Sequence, residues 1–203
     1  MIYSGDMIIL AILLALLIAA AVYIVGIYNG LVGLRESVKV SWANIDVLLK
    51  QRHDEIPKLV EICRQYMQYE EETLLRVTEA RSRVATARET RDIGALGPAE
   101  AALRGGVAKV FAVAEAYPGL KANQNFMQLQ GRITGLENAI ADRREFYNDS
   151  ANINNIRIQE FPDAVVARAF GFGEARMLDF AAQEIADVDV KALFGTKAGG
   201  EAA

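Results

Sequence analysis

The chain has 203 residues and a formal net charge of −4, from 26 acidic and 22 basic residues. Nucleic-acid binding depends on clustered lysine and arginine, so this mildly acidic chain is not predicted to bind DNA or RNA. A single cysteine, Cys63, excludes an internal disulfide. The four prolines are few, and Ala, Leu, Glu and Arg are plentiful. This composition favours long helices and predicts an all-α fold.

Met7 and Tyr28 bound an uncharged apolar run, residues 7–28. A helix of this length measures about 33 Å, enough to cross the hydrocarbon core of a bilayer. A cleaved signal peptide is the alternative, because Ala19 and Ala21 form an A-x-A pattern. However, no Lys or Arg precedes the run, and apolar residues continue beyond the alanines. The preferred prediction is therefore an N-terminal transmembrane helix.

The charges beside this run predict its orientation. Arg35, Lys39 and Arg52 follow it, whereas no cation precedes it. Cations concentrate on the cytoplasmic side of a membrane span. Residues 1–6 are therefore predicted to form a short extracytoplasmic tail, and residues 29–180 a cytoplasmic helical domain at the inner membrane.

Apolar residues recur at spacings of three and four along this domain, as in amphipathic helices. The first helix is expected to run on from the membrane to about Thr90. A turn is expected at residues 92–98, with Pro98 at the first position of the next helix. Short connections make antiparallel neighbours, so the prediction is a bundle of long antiparallel helices.

A further helix is expected to begin near Leu120, after Pro118 and Gly119. It carries the most regular pattern of the chain, a heptad seam typical of a coiled coil. The residues of this predicted seam are Phe126, Leu129, Ile133, Leu136, Ile140, Arg143, Tyr147 and Ala151.

The C-terminal part is predicted to be less regular. The helical pattern breaks at Phe161 and resumes as a short apolar segment. Exposed phenylalanines are costly in water, so Phe161, Phe170 and Phe172 are expected either to cap the bundle within a short helix or to contact a partner. Residues 181–203 are predicted to form a tail whose last residues are disordered.

Four motifs occur in order along the chain: YNGLV at residues 28–32, SWANIDVLLKQRHDEIPKLVE at 41–61, AEAYPGLKANQNFMQLQ at 114–130, and LENAIADRREFYND with IQEFPDAVVARAFGF within 136–172. With these motifs the sequence closely resembles the LemA family of prokaryotic membrane-anchored proteins. The resemblance implies an N-terminal transmembrane helix, an N-terminus outside the cytoplasm and a domain of long antiparallel helices. It implies no established biochemical activity.

A polar cluster is predicted inside the bundle, formed by Arg52, Glu137, Asn138, Arg144 and Asn148. Glu137, Arg144 and Asn148 are spaced by seven and four residues, so they can share one helix face. Arg52 occupies an apolar position of the first helix and needs an anionic partner, which we expect to be Glu137. The cluster is expected to set the register of the core, and a groove for a docking partner is the alternative.

No metal, cofactor or small-molecule substrate is predicted. His53 is the only histidine, and no second His or Cys stands at a ligand spacing from it. Residues 70–72 are three glutamates without the alternating ligands of a calcium loop. The GGVAK sequence at residues 105–109 does not have the spacing of a phosphate-binding loop.

Together these features favour a non-enzymatic scaffold that is anchored in the lipid membrane. Its expected partners are other membrane or envelope proteins or further copies of itself. The alternative is a cytoplasmic accessory or sensor subunit that regulates a membrane enzyme such as a protease or kinase. An enzyme of unknown type is a third hypothesis, which would require a concave pocket holding several titratable groups with shifted pKa values.

Overall fold

The computed structural model describes residues 2–178, with side chains from residue 5 onward. Every regular element in this range is a helix, so the predicted all-α fold is confirmed. The predicted tail, residues 181–203, lies outside the described residues. The helices in chain order are α1 (Ile2–Tyr66), α2 (Glu71–Glu89), α3 (Ile93–Ala114), α4 (Pro118–Lys121), α5 (Gln124–Arg157) and α6 (Asp163–Phe170).

Helix α1 is 65 residues long and joins the apolar run to the bundle without a break. It contains the one stretch of the described chain that is long and apolar enough to cross a membrane. The expectation that this helix continues to about Thr90 is wrong, because α1 ends at Tyr66 and α2 begins at Glu71. The connection lets the apolar stripe of α2 fold back onto α1, so that both stripes are buried in one core.

Helices α2 and α3 form a hairpin whose turn lies two residues earlier than predicted. Arg91 adopts a left-handed backbone with φ of 52°, and the Asp92 carboxylate accepts hydrogen bonds from the backbone N–H groups of Gly94 and Ala95. This N-cap starts α3 at Ile93, so Pro98 stands inside the helix rather than at its first position. The side-chain cap therefore decided the boundary.

Helix α5 begins at Gln124, after Asn123 caps it by accepting from the backbone N–H of Phe126 at 3.1 Å. Leu120, the expected start, belongs instead to the short helix α4. The predicted heptad seam is correct at six positions and wrong at two. Leu136 is only partly buried and Arg143 is exposed, whereas Arg144 is buried. An α-helix has 3.6 residues per turn, so its buried face drifts away from a strict heptad repeat.

The core joins α1, α2, α3 and α5, with α1 packed mainly against α5 and α2 mainly against α3. Helix α6 lies apart from this core. It packs against α1 near Ile27 and Leu31, at the end of the apolar run, through Val166 and Ala167. The short helix expected from the sequence is present, but it covers the side of α1 rather than the main core.

Candidate functional site

The interior of the bundle contains a charge cluster formed by Arg52, Glu100, Arg104, Glu137 and Arg144. Arg52 lies between Leu49 and Ile56 on the buried face of α1 and is fully inaccessible to solvent. Its Nη1 donates to both carboxylate oxygens of Glu137, at 2.9 and 3.0 Å, as expected from the sequence. Its Nη2 donates to Glu100 of α3. One guanidinium thus connects α1, α3 and α5.

Burial of Arg52 would by itself lower the pKa of the guanidinium, because the charged form loses its hydration. The carboxylates of Glu100 and Glu137 outweigh this effect, and the pKa of Arg52 is raised. The guanidinium is therefore charged at every physiological pH. It acts as a permanent cation that organises the surrounding carboxylates and cannot serve as a proton donor or acceptor in catalysis.

Two further arginines complete the charge cluster. Arg104 Nε lies 3.4 Å from Glu137 Oε2, and Arg144 is buried on α5 one turn after Ile140. Burial lowers the pKa of Arg144, and the charge of Arg104 lowers it further. Among the described residues, these three arginines therefore lie close to two carboxylates, those of Glu100 and Glu137.

The charge cluster is not perfectly satisfied. The Nε of Arg52 and the Oε2 of Glu100 are buried without a hydrogen-bond partner among the described residues. Each such group costs free energy, so the charge cluster is weak support for overall stability. Sliding α5 along α1 would separate Glu137 from Arg52, so the register-setting role expected from the sequence stays a prediction.

Additional polar contacts hold α1 to its neighbours outside the charge cluster. Glu55, buried on α1, accepts from Arg132 of α5 and from Lys58 one turn later. His53 of α1 is half-buried against Arg81 of α2. Arg81 Nε donates to the His53 carbonyl at 2.9 Å, and Arg81 Nη2 lies 2.6 Å from His53 Nε2. Since arginine can only donate, His53 accepts through Nε2 and is neutral.

The other two predicted members lie elsewhere. Asn138 is exposed on α5, and Asn148 contacts the C-terminal segment, residues 172–178, which follows α6. Asn148 Nδ2 donates to the Leu178 carbonyl at 2.9 Å, and its Oδ1 accepts from the Leu178 N–H at 2.8 Å. Asn155 makes the same pair of bonds with Ala175, at 2.8 and 2.7 Å.

Asn148 and Asn155 bind the backbone of the C-terminal segment in the same way. They are seven residues apart on α5, which places them on one face about 10 Å apart. Three residues of extended chain, from Ala175 to Leu178, also span about 10 Å. Tyr147 adds a bond from its hydroxyl to the Arg176 carbonyl at 2.8 Å, and Leu178 is buried in the main core. The C-terminal segment is therefore an integral part of the bundle.

Sequence reasoning missed Glu100, Arg104, Asn155 and the buried Glu55. Two of them left a signal. Glu100 lies four residues after Leu96 and three before Leu103, so extending the α3 stripe by one turn would have included it. Asn155 follows Asn148 by seven residues. However, the spacing of residues in the sequence does not indicate that Glu100 contacts Arg52 or that Asn155 contacts Ala175.

The predicted aromatic contacts gather around Tyr28, where the apolar run of α1 ends. The rings of Phe170 and Phe172 lie edge-on to Tyr28, with centroid distances of 5.0 and 5.6 Å. The Arg35 guanidinium lies 5.1 Å above the Phe172 ring. Phe161 is 86% exposed and contributes to neither core cluster. Phe170 and Phe172 therefore make aromatic contacts within the chain, whereas Phe161 stays exposed.

The described residues contain no group of three or more His, Cys, Asp or Glu side chains that could hold a metal ion. Burial raises the pKa of the Cys63 thiol to about 11. This thiol is fully buried in the core, so it resembles an inert packing residue rather than a nucleophile.

The chain is similar to two magnetosome proteins of Paramagnetospirillum magneticum (strain ATCC 700264 / AMB-1), MamQ 1 and MamQ 2. Each is 23% identical in an alignment of 171 residues, and the alignment covers 73% of this chain and 63% of the relative. The chain thus spans less than two thirds of the length of these relatives. A sequence model of the LemA family matches residues 41–192, three quarters of the chain. The protein belongs to the LemA family.

Proposed function

We propose that the protein is a non-enzymatic helical scaffold, anchored in a membrane, that binds other membrane or envelope proteins or further copies of itself. The observation that carries this proposal is the continuity of α1. Its N-terminal apolar side chains are exposed, whereas Ile45, Leu49 and Ile56 of the same helix form the bundle core. A docking event on the bundle is therefore coupled to the membrane through one continuous rod.

The interior of the bundle supports a structural role. Arg52 and Glu137 are charged residues of the kind used in catalysis, but in this bundle they are paired with each other. Arg144 is buried, and the described part of the chain offers no metal-binding group. An unbroken helix that joins the apolar run to a charge-paired core is compatible with a scaffold.

We further propose that the span lies in the inner membrane, with the bundle in the cytoplasm. Arg35 and Lys39 follow the apolar run within about three turns, which matches the distribution of cations on cytoplasmic flanks. Cysteine labelling from each side of intact cells would test this orientation. Labelling of a cysteine at exposed Tyr69 only after permeabilisation is expected, and labelling of intact cells would contradict it.

The decisive experiment measures the mass and shape of the full-length protein extracted with its lipids, by light scattering and electron microscopy on the same sample. Self-assembly predicts a large symmetric particle. Val40 and Val47 are exposed and seven residues apart on one face of α1, so paired changes to Glu should reduce the mass if this face joins copies. Ser82→Glu, which adds a carboxylate to an exposed position of α2, is the matched control.

Each outcome has a distinct meaning. A monomer that co-purifies with several membrane or envelope proteins supports a scaffold for other proteins. A single stoichiometric membrane protease or kinase would instead favour an accessory subunit that regulates that enzyme. A monomer without any partner would contradict the proposal.

A further inference from the structure

The segment that contains α6 lies at a fixed height along α1. Val166 and Ala167 pack on Ile27 and Leu31, the first buried side chains of α1 among the described residues. The apolar run ends at Tyr28, and Leu31 is only about 4.5 Å farther along the helix axis. If residues 7–28 span the hydrocarbon core, α6 is therefore held at the level of the lipid headgroups.

The outer surface of this segment is apolar. Phe161 is 86% exposed, Val165 60% and Phe170 58%. Exposing phenylalanine and valine side chains to water costs free energy. The boundary between headgroups and acyl chains of a bilayer can bury them instead. A bilayer beside this short segment would thus explain why all three side chains are exposed within the chain.

Most charges beside this surface are compatible with a lipid boundary, and the exposed carboxylate of Glu160, next to Phe161, lies 3.8 Å from Arg157 Nη1. Asp163, the only acidic residue of α6, is buried and accepts from Arg157 Nε at 3.0 Å. The exposed charge of α6 is the cation Arg168. Arg35, whose guanidinium covers the Phe172 ring, stands one turn beyond Leu31, at the height expected for lipid phosphates. Apolar side chains with cations at their border are typical of helices that lie in a membrane interface.

We propose that α6 and Phe161 form a second membrane contact, a short interfacial element whose exposed side chains insert among phospholipid headgroups beside the α1 span. This inference rests on the proposed anchoring by α1. The occupant of the surface is the bilayer, so neither a second copy nor another protein covers it. The element fixes the tilt and rotation of the bundle relative to the membrane, since α6 is also packed against α1.

The test uses the full-length chain in phospholipid nanodiscs, with Cys63→Ala as the background and one nitroxide label per variant. Labels at Phe161, Val165 and Phe170 report on the element. A label at Leu17, within the apolar run, is the control for the anchor. A label at Tyr69, which is 94% exposed near the far end of α1, is the aqueous control. Collision rates with oxygen and with a water-soluble nickel chelate give the depth of each label.

The nickel collision rate at Phe161 and Phe170 is expected to be several-fold lower than at Tyr69, with the oxygen rate higher. The label at Val165 should show the same collision rates. Because the Val165 side chain makes no ring contact with Tyr28, this variant still tests the inference if the change at Phe170 disturbs α6. Nickel rates equal to that of Tyr69, with Leu17 protected, would overturn the inference and leave the anchor intact.

Two other outcomes would also overturn the inference. Labels that neither oxygen nor nickel reaches would place a protein surface over α6. An accessible Leu17 would contradict the anchor itself, and the inference would fall with it.

Discussion

Arg52 and Glu137 are separated by 85 residues of chain, yet one guanidinium nitrogen of Arg52 donates to both carboxylate oxygens of Glu137. The pair connects α1 to α5. Because Glu100 shares the same guanidinium, the pair is one part of a three-helix arrangement, and its energetics must be tested as such.

Replacing Arg52 with Met is expected to destabilise the bundle by about 3–5 kcal/mol, since it removes the buried cation that Glu100 and Glu137 share. Chemical denaturation followed by circular dichroism in detergent measures this loss. Arg76→Met is the control, because Arg76 pairs with Glu72 on the exposed surface of α2 at 2.5 Å. The control should leave the free energy of unfolding nearly unchanged.

A charge swap distinguishes the arrangement from an isolated pair. Arg52→Glu combined with Glu137→Arg would restore an isolated pair, but here it places a new carboxylate against Glu100. We expect no recovery of stability from the swap. Partial recovery is expected instead when Arg52→Met is combined with Glu100→Gln and Glu137→Gln, because both carboxylates are then uncharged while Arg104 and Arg144 keep their charges. Full recovery in the simple swap would contradict a role for Glu100.

Asn148→Ala and Asn155→Ala should each release the C-terminal segment locally. Each change removes two hydrogen bonds to the backbone of residues 175–178. At about 1 kcal/mol per bond, amide exchange of the segment should accelerate by roughly 30-fold. Hydrogen exchange read by mass spectrometry measures this, with exposed Asn152→Ala as the control on the same helix. Unchanged exchange at Ala175 and Leu178 would show that the asparagines do not hold the segment.

Acidification is expected to weaken the contact between α1 and α2. Burial lowers the pKa of His53, and the nearby charge of Arg81 lowers it further. The unfolded chain, with an ordinary histidine pKa of about 6.5, therefore binds a proton before the folded chain does. The contribution of His53 is fully present above that pH and is lost as the pH falls through the lowered pKa. His53→Gln should flatten this part of the stability profile, and an unchanged profile would exclude His53 as its source.

Cys63 is expected to resist alkylation in the folded protein. Its thiol is buried and its pKa is raised to about 11, so the reactive thiolate is scarce at pH 8. Labelling by iodoacetamide, followed by mass spectrometry, should proceed only as the bundle unfolds. A cysteine placed at exposed Tyr69 should react rapidly under the same conditions. Comparable rates at the two positions would indicate that the core around Cys63 opens readily.

The sequence by itself determined the helical class, the apolar run at residues 7–28 and the need of Arg52 for an anionic partner. These properties depend on local composition and on spacing along one helix, which the chain displays directly. The burial of Phe126, Ile133 and Tyr147 was predictable for the same reason. Even so, a strict heptad placed Arg143 in the seam where the structure buries Arg144.

Tertiary structure decided what faces each helix. The addition of Glu100 to the charge cluster depends on how α3 is rotated and shifted against α1, and no local pattern contains those two quantities. The same holds for Asn148, whose partner at Leu178 lies beyond α6, and for α6 itself, which packs against α1 at Ile27 and Leu31. Helix boundaries depended on single capping side chains such as Asp92, and helix partners depended on packing across long separations in the chain.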